Sequence, residues 1–116
     1  MNKETLIKSH CQPCAKGEPA LPSDKIQELL KALGTGWVLN VNGQLYKVFP
    51  FPDFKSALAF TDEVGALAEA ENHHPDILLQ WGKVGISLYT HSIQGLSLND
   101  FILASKIDGI KRPGEF

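Results

Sequence analysis

The sequence predicts an α+β fold: element order α-β-β-α-β-β-α, with a four-stranded antiparallel sheet and helices packed on one side. Three observations predict it. Ile26, Leu29, Leu30 and Leu33 recur at the spacing of one helical face. Asn42-Gly43 separates two strand-like runs and is the strongest short hairpin signal. A second pair of strand-like runs, 77–81 and 84–91, meets at Gly82-Lys83. Hairpins that alternate with single helices make the strands antiparallel and leave the helices to cover one face.

Residues 1–22 contain Pro13, Gly17, Pro19 and Pro22 without a clear period, and read as an irregular N-terminal arm. Residues 23–116 read as one domain. Ser23 is a plausible N-cap for the first helix, and Gly34 and Gly36 end it. Trp37–Val41 and Gln44–Phe49 form the first hairpin, which Pro50 and Pro52 should stop. Asp53 can cap the next helix, whose apolar face is Ala57, Phe60, Val64, Leu67 and Ala68. Pro75 disfavours helical backbone at His74, so the helix should close there with His73 on its end. Glu69 and His73, four apart, should project from the same side of its last turn. Ile77–Trp81 and Val84–His91 form the second hairpin, with Val84, Ile86 and Leu88 on one face. Ser97 to Asp100 resembles a capping box with aspartate in the glutamate position, opening a helix over Leu98–Asp108. That helix carries two apolar stripes: Leu98, Phe101 and Ile102, and on the other side Leu103, Ile107 and Ile110. One stripe can face the sheet. The other needs a second cover, which suggests a homodimer or homotetramer.

Composition narrows the function classes. The chain has 116 residues, 43% of them apolar, enough for one core. A net charge of −2 advertises no nucleic-acid surface. Apolar runs are too short for a membrane span, and no apolar run follows the first charges, so cytoplasm is the expected compartment. The two cysteines form Cys11-Gln12-Pro13-Cys14. Such a pair is structural, redox-active or part of a zinc site; with His10 it supplies only three of four zinc ligands.

The residues that carry chemistry lie between Glu69 and Asp100. Three of the four histidines, His73, His74 and His91, fall there, flanked by carboxylates. Imidazole moves protons near neutral pH, and the cluster reads as a proton-transfer site. Each histidine also has a plainer role, as a helix-end cation, a turn residue or a surface strand residue. Three histidines could ligate zinc, but adjacent His73 and His74 at a helix end seldom converge on one ion.

Glu69, His73-His74-Pro75, Trp81, His91 and Asp100 together resemble the signature of the pterin-4a-carbinolamine dehydratases, and the likeness extends from about Leu21 to Ile110. The Cys-x-x-Cys head resembles bacterial members. The resemblance implies a dehydratase that converts 4a-hydroxytetrahydropterin to quinonoid dihydropterin, recycling the cofactor of an aromatic amino acid hydroxylase such as phenylalanine hydroxylase. It implies His73, His74 and His91 as catalytic. Glu69, Pro75, Trp81, Thr90, Ser92 and Asp100 would bind substrate or support the site. Neither metal nor cofactor is implied, since pterin is the substrate. Two other roles stay open: a dimerisation cofactor for a transcription factor, and a dehydratase-like protein of molybdenum-cofactor metabolism.

Overall fold

The computed structural model describes residues 1–34 and 36–112. Thr35 and residues 113–116, counted in the domain above, lie outside the described residues. Two short elements, α1 (Lys3–Lys8) and the 3-10 turn His91–Ile93, join the seven expected ones. These are α2 (Ser23–Leu33), β1 (Val38–Leu39), β2 (Leu45–Pro50), α3 (Phe54–Glu71), β3 (Asp76–Gln80), β4 (Lys83–Leu88) and α4 (Leu98–Asp108). The sheet has the order β1-β2-β4-β3 with every pair antiparallel, and the helices lie on one side. The expected fold class is found.

Both hairpins differ in detail from the sequence prediction. Asn40 N–H bonds the Gln44 carbonyl and Gly43 N–H bonds the Asn40 carbonyl. The loop is therefore three residues long, with only Gly43 left-handed at φ 73°. A two-residue type I′ turn would need Asn42 left-handed as well. In the second hairpin Gln80 pairs with Lys83, so the tight turn is Trp81-Gly82, one residue earlier than expected. Pro50 does not stop β2 but ends it as a paired residue. Phe51 N–H bonds Gly82 of the β4 side, so alternation turns the Pro50 nitrogen towards β1. β1 reaches only Leu45 and Tyr46, leaving no ladder for that nitrogen to interrupt.

Val84, Ile86 and Leu88 of β4 and Leu45 and Phe49 of β2 point into the core, and Val64, Ala57 and Phe60 of α3 meet them. The second stripe of α4 is covered within the chain. Leu103 and Ile107 are fully buried, and α1, α2 and α3 all pack on α4. Leu6 of α1 is fully buried, and Lys106 Nζ donates to the Ile7 carbonyl. The residues from which a second copy was inferred thus have their cover, and that argument for self-association falls. Asp108, at the far end of α4, accepts from Lys3, Trp37 and Lys47 at 2.8–2.9 Å and ties α1 to the sheet. No described helix is long and apolar enough to cross a membrane.

Candidate active site

The end of α3 sets the site. Asn72 takes the left-handed conformation at φ 52°, Asn72 N–H bonds Glu69, and His73 N–H reaches back to Ala68. This is a Schellman closure. It ends the helix two residues before His73, so Glu69 and His73 do not share a helical face as expected. The chain instead turns towards the start of α4. Asp76 pairs with Ser87, so continuing that register runs His73-His74-Pro75 beside Leu88-Tyr89-Thr90. Pro75, with φ fixed by its ring, leads the segment into β3.

Asp100 is the centre of the arrangement. It is fully buried, three residues into α4 from the cap Ser97. Its Oδ1 lies 2.7 Å from His73 Nε2. Its Oδ2 accepts from Thr90 Oγ1 at 2.8 Å and from Ser97 N–H at 2.9 Å. Thr90 and Ser97 hydroxyls also meet each other at 2.8 Å. With Oδ2 occupied by two donors, Oδ1 faces His73 as an acceptor, so Nε2 carries the hydrogen. Nδ1 of His73 has no hydrogen-bond partner among the described residues. The His73 side chain is 12% exposed, enough for contact with a ligand but shielded from bulk water.

His74, on the exposed side, pairs through Nε2 with Glu69. Glu69 therefore orients His74, not His73. His91 follows Thr90 directly, opens the 3-10 turn, and sets its exposed ring edge-on to Tyr89 at 5.2 Å. One carboxylate thus connects the segments bearing His73 and His91. Trp81 is not brought to them. It sits 69% exposed at the opposite end of β3, a strand's length from His74. Ser92 donates to the Cys14 carbonyl at 3.3 Å and so meets the arm.

Asn99 and Glu71 are the polar residues that sequence reasoning missed. Asn99 pairs through both its amide atoms with the backbone of Gln12, at 2.9 and 2.5 Å. Glu71 accepts from Cys11 N–H at 2.8 Å and meets His10 Nδ1 at 2.9 Å. Burial pushes the Glu71 carboxyl up, but Cys11 N–H, His10 and Lys106 outweigh it and hold the group below its ordinary value. Neither residue stands in a motif; only burial of a polar side chain beside the arm singles them out. Burial, reinforced by the Glu71 charge, pushes the Cys11 thiol up to about 12. A reactive thiol needs the opposite shift. Cys11 and Cys14 are both free, and among the described residues no group of three or more His, Cys, Asp or Glu could hold a metal ion.

Residues 19–110 match the family model described as pterin 4 alpha carbinolamine dehydratase. A relative from Alkaliphilus metalliredigens, provisionally named a pterin-4-alpha-carbinolamine dehydratase, is 47% identical over 89% of this chain and 93% of its own. One from Rickettsia bellii, named likewise, is 44% identical over 90% of this chain and 92% of its own. A crystal structure titled transcriptional coactivator/pterin dehydratase, from Brucella melitensis, superposes with a TM-score of 0.72 at 30% identity, covering 78% of this chain and 96% of that one. A pterin dehydratase-like protein, described as a RuBisCO assembly factor in the alpha-carboxysome, gives 0.57 at 25% identity, covering 66% of this chain and 90% of that one.

Proposed function

Because the chain belongs to the pterin 4 alpha carbinolamine dehydratase family, we infer that it removes water from a 4a-hydroxytetrahydropterin. The observation that carries this reading is the buried Asp100 holding His73 through one oxygen and Thr90, the neighbour of His91, through the other. Loss of water needs a proton delivered to the 4a-hydroxyl, which is otherwise a poor leaving group. It also needs the N5 proton removed, so that the electron pair can form the C4a–N5 double bond. The products are quinonoid dihydropterin and water.

In this reading His73 protonates the departing hydroxyl through Nδ1. Asp100 fixes its ring and compensates the positive charge carried before transfer. His91 takes the N5 proton, and His74, steadied by Glu69, helps hold the pterin. Positioned acid–base groups contribute about 10²–10⁴-fold, adequate for a carbinolamine that already dehydrates slowly unaided. The chemistry calls for neither metal nor organic cofactor. The physiological link is to an aromatic amino acid hydroxylase that releases the substrate.

Stopped-flow absorbance of freshly generated 4a-hydroxytetrahydropterin tests the reading. Chelator-treated protein is expected to accelerate dehydration over the spontaneous rate. A rate equal to the blank, or activity restored only by added metal, would overturn it. A protein-binding role is the second reading, favoured by the coactivator and assembly-factor roles named for the two solved relatives. It predicts that the same assay shows no acceleration.

A further inference from the structure

The N-terminal arm runs along the loop that bears His91. Leu21 N–H bonds the Leu96 carbonyl at 2.9 Å, and Ser92 Oγ donates to the Cys14 carbonyl. Ala20 abuts Gly95 so closely that a Cβ added at Gly95 would lie 2.5 Å from that of Ala20. Between these anchors Ala15–Glu18 forms a tight turn. Glu18 N–H bonds the Ala15 carbonyl at 3.1 Å, and Gly17 sits third at φ 90°, the left-handed position of a type II turn. Glu18 Oε1 accepts from Ala15 N–H and locks the turn. Lys16 and Gly17 at its tip face His91, Ser92, Ile93 and Gln94 across a cleft of about 360 Å³. That volume is in the range that holds small molecules.

We propose that this turn is a wall of the substrate cleft and reads the substituent on C6 of the pterin ring. The proposal rests on the dehydratase reading above. C6 is bonded directly to N5, so its substituent leaves the ring beside whichever group takes the N5 proton. With His91 in that role, the substituent enters the cleft between His91 and Lys16. The polar groups there are the Lys16 ammonium, which only donates, the Ser92 hydroxyl, whose hydrogen goes to Cys14 and which is left to accept, and the Gln94 amide, which does both. They suit a substituent that both accepts and donates, such as a hydroxylated chain, over a plain methyl group.

The test compares a dihydroxypropyl-substituted and a methyl-substituted 4a-hydroxytetrahydropterin in wild type, Gly95→Ala, Ala20→Val and the Gly95→Ala/Ala20→Gly double variant. Gly95 has an ordinary φ, so an added methyl acts by pushing the arm away. Ala20→Val makes the same collision from the arm and leaves the loop sequence intact. Both single variants are expected to lose about tenfold in kcat/KM for the hydroxylated substrate, roughly one hydrogen bond's worth. Turnover of the methyl substrate should hardly change, and the double variant should regain the preference. Equal losses on both substrates, or an unchanged preference in both single variants, would overturn the arm's role. Inactivity of the wild type on both substrates would overturn the dehydratase reading and this proposal with it.

Discussion

At the scale of single residues, Asp100 matters most. As a helix cap it should favour the α4 N-terminus by about 0.3–1 kcal/mol; as a site residue it should hold a histidine. The structure makes these concurrent: Oδ2 receives the Ser97 cap and the Thr90 hydroxyl while Oδ1 faces His73. Asp100→Asn keeps the shape but puts a donor amide against one of those partners. Turnover is expected to fall about 10²-fold, at the lower end of what a positioned acid–base group contributes. Stability should fall by about 1–3 kcal/mol, because a buried partner is left unsatisfied. Denaturant titration beside the kinetic assay checks both, and unchanged turnover would reduce Asp100 to a cap. The sequence singled out the aspartate and the histidines as candidates by their types and spacing. Their pairing was not legible there. Whether Glu69 meets His73 or His74 depends on the left-handed Asn72, which closes the helix before the position at which Pro75 was expected to end it.

At the scale of elements, helices and strands were legible wherever apolar periodicity was strong. Their ends were less so, because ends are decided by hydrogen bonds such as Asn40–Gln44 and Phe51–Gly82. The arm was the least legible part. Prolines and glycines hide its order, which comes from contacts far along the chain: Leu6 against α4, Gln12 clamped by Asn99, and Cys11 held by Glu71. Glu71 gives this packing a pH dependence. Its carboxyl is held below the ordinary 4.5 in the folded chain, so it contributes stability above that value. The contribution disappears as pH falls through the lower folded value. Thermal unfolding measured from pH 7 downwards should show wild type losing more stability below about pH 4.5 than Glu71→Gln does. Parallel curves for the two proteins would remove Glu71 as the arm's acid-sensitive anchor.

At the scale of the whole molecule, a homodimer or homotetramer stays an expectation, though not by way of α4. Exposed apolar side chains lie elsewhere: Val38, Val48, Leu78 and Trp81 on the sheet and its turns, beside Ile7, Phe54 and Leu58 on α1 and α3. Light scattering is expected to report an oligomer that Leu78→Lys weakens; a monomer at every concentration would contradict this. The fold explains why one carboxylate can reach two histidine-bearing segments. The β3–β4 register, carried past its last pair Asp76–Ser87, runs the His73 segment towards Thr90, and the capped start of α4 places Asp100 against both. The central claim is that His73 and His91 act in a single elimination. It is tested most directly by the stopped-flow dehydration rate in His73→Ala, His91→Ala and the double variant. Each single variant should lose about 10²–10⁴-fold, and the double variant clearly less than the product of the two. Fully multiplicative losses, or single variants as fast as wild type, would contradict it.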